Sequence, residues 1–250
     1  MKNKGIYLVI LSFLLLECKN EVYKLPDPEL GFNTMLTYGT MTDYDGNVYQ
    51  TIKIGNQTWM AENLRVTHFN NGRPIEHIMS DSIWGLSWYY GGAVAYCVYG
   101  NHEGNRKRYG LLYTNKVVGR NAPANVAPTG WHVPSIEEWI TLFNHLGADS
   151  VVGGQLKEAG FVHWQAPNIG ATNSSGFTAL PGGYRSHTGV FGGLGTEGIW
   201  WSSSNRIIRY YPGKGVSLSY DTNAAIYDKD PFLEFGYPQN FGLSVRLVKD

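Results

Sequence analysis

A chain of 250 residues with 43% hydrophobic residues can bury a full core, and nothing in it requires a second domain. Lys plus Arg and Asp plus Glu balance at 20 each, so no net field steers the protein toward nucleic acid or another strongly charged partner. Charged residues make up only 16%, against 31 Gly, 17 Tyr and 8 Trp, a balance that suits an extracellular, turn-rich protein with a surface of Asn, Ser, Thr and Tyr.

Lys2 and Lys4 precede an apolar run from Ile6 to Leu16, too short to span a bilayer but of the length of a signal-peptide core. The pattern predicts export. Cys18 follows the run directly, and residues 1–18 resemble a bacterial lipoprotein signal; Glu17 departs from the small residue usual before the cysteine. That resemblance implies lipidation at Cys18, a membrane partner through the anchor, and an outer-membrane or cell-surface location; an ordinary secreted protein and an uncleaved anchor are the alternatives. The other cysteine, Cys97, then has no disulfide partner and reads as a buried strand residue.

Residues 19–40, with Pro26 and Pro28 and no periodicity, read as a flexible linker, leaving 41–250 as the domain. From Met41 the period is two. Val48, Gln50 and Ile52 alternate with Tyr49, Thr51 and Lys53 between the turn signals Asp45-Gly46 and Gly55-Asn56, which predicts a β-meander. Asp43, Asp45 and Asn47 have calcium-loop chemistry but lack the downstream bidentate Glu, so a tight turn is the better reading.

The segment 45–75, DGNVYQTIKIGNQTWMAENLRVTHFNNGRPI, resembles the opening of the Fibrobacter succinogenes major paralogous domain. Later segments agree in order: YGLLYTN (Tyr109 to Asn115), APTGWHVPSIEEW (Ala127 to Trp139), GGQLKEAG (Gly153 to Gly160), WWSSS (Trp200 to Ser204) and FGLSVRLVKD (Phe241 to Asp250). Leu247 departs from a position where the family commonly has cysteine. The resemblance implies an exported domain, frequently on a lipoprotein, with no catalytic activity attached. A weaker likeness, of pattern only, links Trp131-His-Val-Pro134 before a helix, the Trp-Trp strand and the final strand to C-type-lectin-like and formylglycine-generating-enzyme folds.

Trp84, Trp88, Tyr89, Tyr90, Tyr96 and Tyr99 make an aromatic-dense segment able either to pack the domain or to stack on sugar rings. His102 to Arg108 reads as a polar loop. The strongest local signal comes next. Ser135 is a good N-cap, Glu138 completes a capping box, and Ile136, Trp139, Leu142, Phe143 and Leu146 share one helical face ended by Gly147, which predicts a helix from Ser135 to Leu146. A second short helix follows over Val151 to Ala159, weakened by Gly153 and Gly154. Pro181-Gly-Gly183 bends the chain and aims Tyr184 and Arg185 by backbone geometry. Gly193-Leu-Gly195-Thr-Glu-Gly198 matches the dinucleotide fingerprint, but Ile199 onward continues as a strand, which rejects it. Leu243, Val245 and Leu247 alternate with Ser244, Arg246 and Val248 in a closing strand.

The expected fold is therefore α+β, with mainly antiparallel sheets and turn-rich loops around one principal helix and a second short one, in a C-type-lectin-like architecture. No HExxH, CxxC or G-x-S-x-G occurs, so no catalytic residue, cofactor or metal is expected, although His132 and His163 have the chemistry to meet Glu137 or Glu138 in a polar pocket. The expected function is a non-catalytic surface or periplasmic module binding a polysaccharide or a protein, with Trp88, Tyr184, Arg185, Trp200 and Asn205 as candidate ligand residues. The competing expectations are a glycan hydrolase with two carboxylates about 5 to 10 Å apart across a cleft, and an adhesive component of a surface complex.

Overall fold

A computed structural model describes residues 30–119, 122–147, 149–205, 213–227 and 236–250. Cys18 and residues 19–29 lie outside them. In chain order come β1 (Gly39–Thr42), β2 (Val48–Ile54), β3 (Gln57–Met60), β4 (Glu76–His77), α1 (Asp81–Ser87), β5 (Ala95–Cys97), α2 (Gly104–Tyr109), β6 (Leu112–Tyr113) and α3 (Asn115–Val118). These are followed by β7 (Trp131–His132), α4 (Ile136–Leu146), α5 (Asp149–Leu156), β8 (Gly182–Arg185), β9 (Phe191–Leu194), β10 (Glu197–Asn205), β11 (Gly213–Ser219), β12 (Ala225–Tyr227) and β13 (Val248–Lys249). The fold is α+β. Three sheets run in the orders β1-β2-β3-β13-β7, β12-β11-β10-β8-β9 and β4-β5-β6. All pairings are antiparallel except β8 with β10 and β4 with β5.

The meander forms where the alternation placed it, with Ile52 opposite Trp59 and Thr51 opposite Met60. Asp43 closes the first turn by accepting from the Asn47 N–H at 3.0 Å and the Tyr49 hydroxyl at 2.5 Å, while Asp45 accepts from the Thr67 N–H and hydroxyl. Both carboxylates are thus used in turn chemistry. Both faces of β2 are covered: Tyr49 belongs to one apolar cluster, with Met60 and Trp201, and Ile52 and Ile54 to a second, with Trp59, Trp139 and Trp200. The consecutive residues Trp200 and Trp201 of β10 divide the same way, because successive strand side chains point to opposite faces. The two larger sheets therefore stand between two cores.

Helix α4 forms as its signals dictate. Ser135 Oγ accepts from the Glu138 N–H, and the Glu138 carboxylate accepts from the Ser135 N–H at 2.8 Å. Ile136, Trp139, Leu142 and Phe143 are buried, and Trp139 meets Trp59 at a ring separation of 4.7 Å. Gly147 ends the helix, as read, at φ 122°, ψ −148°, a backbone region that favours glycine. In α5, Gly153 and Gly154 are close-approach positions rather than weak points. A Cβ on Gly154 would lie 2.0 Å from Asn223 Oδ1 and 2.1 Å from the Gly170 carbonyl oxygen.

Three expectations are corrected. Residues 102–108 are not wholly a loop, since 104–109 form α2. The linker reading fails for residues 30–40. Gly31 donates to Glu158 Oε1 at 2.7 Å, Asn33 and Asn173 exchange bonds with the Asn173 and Gly31 carbonyls at 3.0 Å each, and Phe32, Leu36 and Tyr38 pack on the second core. This strap is part of the domain. The closing strand is regular only at β13, and Leu243 through Val248 are buried on both faces instead of alternating. Leu243 bonds Tyr113, the Ser244 N–H reaches the Ile199 carbonyl, and the Leu247 carbonyl accepts from Met60, so this segment stitches all three sheets together. Arg246, in the alternate set with Ser244 and Val248, is wholly buried. It donates to Asn63 Oδ1 at 2.9 Å and to the carbonyls of Met60 at 3.1 Å, Thr178 at 2.8 Å and Phe177, and lies 4.3 Å from the Phe177 ring. Cys97 is buried in β5 as expected, and burial pushes its thiol up to about 12, so it is inert as a nucleophile.

Candidate functional site

Large apolar residues exposed together concentrate around α1 and the turn after it: Ile83, Leu86, Tyr89 at 79% and Tyr90 at 86%. Exposure of this kind costs stability and marks binding surface more often than accident. Helix α1 is a single-anchor element. Ser80 caps it, Trp84 is its one buried side chain, and Gly91 at φ 84° ends the following turn of 88–90. Opposite it stands the turn 186–189 between β8 and β9. Gly189 sits at φ 94°, and a Cβ there would lie 2.9 Å from Asp81 Cα, so only glycine lets this turn approach α1.

Between the two lies a depression of about 580 Å³ lined by Asp81, Ser82, Leu86, Trp88, Tyr89, His187 and Thr188 together with Gly85. Its rings form a chain. Trp88 meets His187 at 5.9 Å, His187 stacks on Phe241 at 5.9 Å and 17°, and Phe241 stacks on Tyr184 at the same distance and angle. Of the expected ligand residues, Trp88 lines this depression and Tyr184 is joined to it through Phe241.

Arg185 and Trp200 lie elsewhere than on a ligand-facing surface. Arg185 is wholly buried, and its guanidinium donates to the carbonyls of Gly189 at 3.0 Å, Ile78 at 2.6 Å and Met79 at 2.9 Å, and to Asp81 Oδ1 at 2.5 Å, between the rings of Trp84 and Phe191. It buckles the two walls of the depression from beneath. The Trp84 indole adds a bond to the Ser186 carbonyl at 3.0 Å, and Asn240 bonds the His187 carbonyl at 3.0 Å. The walls are thus preorganised by buried polar groups. Trp200 is a core residue whose indole donates to Asn63 Oδ1 at 2.9 Å. Asn205 ends β10, and its side chain lies outside the described residues. Asp81, Ser82, His187 and Thr188 were missed because no local pattern brings positions 81–89 and 187–188 together; Gly189, next to a β-branched residue in a short turn, was the available signal.

A second depression of about 460 Å³ is lined mostly by small aliphatic residues between Val117 and Val133, with His132 and Ser203 at its polar side. His132 meets Glu138, as its chemistry allowed, at 2.7 Å through Nε2, and Asp250 at 2.6 Å through Nδ1. Burial alone would lower the imidazole, but the bonds to Asp250 and Glu138 outweigh it and hold the ring above the ordinary histidine value. Both ring nitrogens are occupied, which leaves no free base. His163 meets neither Glu137 nor Glu138; its Nδ1 bonds Glu158 at 2.8 Å in a buried pair. Neither depression is lined by two carboxylates, and no group of three or more His, Cys, Asp or Glu that could hold a metal occurs among the described residues. The arrangement with binding chemistry is therefore the aromatic depression: a ring platform, one carboxylate and the three hydroxyls of Ser82, Tyr89 and Thr188 on rigid walls.

Compared with known proteins, residues 52–249 match the family model described as the Fibrobacter succinogenes major domain. No curated protein and no solved structure matches the chain.

Proposed function

For a chain that belongs to the Fibrobacter succinogenes major domain family, we propose an exported, non-catalytic module, lipid-anchored at Cys18, that binds a saccharide in the depression between α1 and the 186–189 turn. The observation that carries this reading is the Trp88–His187–Phe241 ring chain beside the Asp81 carboxylate and the Ser82 and Thr188 hydroxyls. The apolar face of a pyranose ring suits the aromatic platform, and its hydroxyls suit the polar rim. The lectin-like likeness of the Trp131-to-Ser135 segment and the Trp-Trp strand is consistent with this and adds no residue to the site.

A protein partner is the second reading, favoured by the exposed side chains of Leu86, which lines the depression, and of Ile83 and Tyr90 on the same helix and the turn after it. A glycan array probed with the full chain distinguishes the two. Saccharide binding that falls ten-fold or more in Trp88→Ala, about 1.4 kcal/mol, supports the first reading. Silence on every glycan together with co-purification of a surface protein lost in Leu86→Asp and Tyr90→Ala supports the second. For the anchor, metabolic labelling with a palmitate analogue should mark the wild type and not Cys18→Ala; equal labelling of both removes the lipoprotein reading.

A further inference from the structure

The lining of the aromatic depression also bears on which saccharides fit it, and this step rests on the saccharide reading. The described residues that line it offer one carboxylate, three hydroxyls and an imidazole, and include no Lys or Arg. The guanidinium of Arg185 beneath it is committed on Nε, Nη1 and Nη2 to three carbonyls and Asp81 Oδ1, and is wholly buried. With no exposed atom, it can donate no hydrogen bond to an incoming anion. Asp81 itself is exposed, with a side-chain exposure of 67%, and the Arg185 bond fixes its Oδ1 while Oδ2 accepts from no donor among the described residues. A fixed carboxylate oxygen beside a ring platform accepts from sugar hydroxyls. The same oxygen repels a carboxylate or sulfate brought onto that platform, and discrimination by repulsion is as effective as discrimination by attraction.

We infer that the depression between α1 and the 186–189 turn selects uncharged pyranosides and rejects uronate and sulfated sugars, with Asp81 as the specificity-determining residue and Trp88 as the platform. Arg185 is a positioning residue, since it acts only through Asp81 and the wall carbonyls.

The test compares the full chain with Trp88→Ala and Asp81→Asn, each first shown to unfold in urea at a midpoint near the wild type. The probes are laminarihexaose, mannohexaose and cellohexaose on one side and oligogalacturonate and oligoguluronate of the same length on the other, read by calorimetry. Binding of at least one neutral hexasaccharide, with uronates weaker by ten-fold or more and that gap narrowed in Asp81→Asn, is the expected result. Uronates bound as tightly as neutral sugars and lost in Trp88→Ala would overturn the selectivity while leaving the saccharide site standing. If no probe binds, or Trp88→Ala leaves binding unchanged, the site reading fails and this inference fails with it.

Discussion

Arg246 provides the sharpest test of how this fold is held together. Replacing it by Met removes the donors that serve the carbonyls of Met60, Phe177 and Thr178, whereas Asn63 Oδ1 keeps its bond from Trp200. Each buried carbonyl left without its donor costs about 1–3 kcal/mol. Against this stands relief from burying a cation that no carboxylate touches, a saving of several kcal/mol; burial indeed pulls the guanidinium down from its ordinary value. Backbone carbonyls cannot be mutated away with their partner, so the acceptor loss outweighs the saving, and Arg246→Met should destabilise by about 3–5 kcal/mol. For a chain of this size that is a fall in Tm of about 10 °C. Arg246→Lys keeps up to three donors without the planar fork and should fall between the two. Urea unfolding with an unchanged m-value measures both. If Met is as stable as the wild type, or Lys is less stable than Met, then desolvation of the charge dominates and the acceptor argument is refuted.

Gly154→Ala should destabilise by more than 3 kcal/mol, roughly the scale of overpacking a rigid site, although helix propensity alone predicts a gain of about 1 kcal/mol; the contact of the new Cβ with Asn223 and Gly170 decides the sign, and a raised urea midpoint would show that those groups yield. Ser135→Ala should cost about 1 kcal/mol by removing one arm of the capping box, and an unchanged thermal midpoint would mean that the Glu138 arm suffices alone. His132 is raised in the folded state, so its contribution is complete below the ordinary value of 6.5 and is lost as pH rises through the raised one. The wild type should therefore lose more stability than His132→Gln between pH 6 and pH 8.5, and parallel pH profiles for the two would dispose of the linkage.

Helix α4 was legible because its cap, stripe and stop are all local and agree with one another. The meander was legible for the same reason. What stayed hidden depends on partners far away in sequence. Gly153 and Gly154 look like helix weakeners until Asn223 and Gly170 arrive against them, and the alternation of Leu243 to Val248 says nothing of a segment covered on both faces. Arg185 and Trp200 have the chemistry of ligand residues, yet their polar atoms are consumed inside the molecule. At the site, Trp88 stood out by type, but the groups completing the depression come from residues about a hundred positions away, and their meeting depends on Arg185 and Gly189 drawing two walls together.

The strap of residues 30–38 changes how the domain hangs from its tether. With Cys18 in the membrane, as proposed, Gly31 is the first tied residue of the described chain, thirteen residues on, and thirteen residues span at most about 45 Å. Peeling the strap back to Tyr38 would raise that limit to about 70 Å. Any pull between a bound ligand and the membrane enters first at the Gly31–Glu158 and Asn33–Asn173 bonds, so the strap is the mechanical fuse of the molecule: its contacts at the edge of the second core give way before either large sheet bears load.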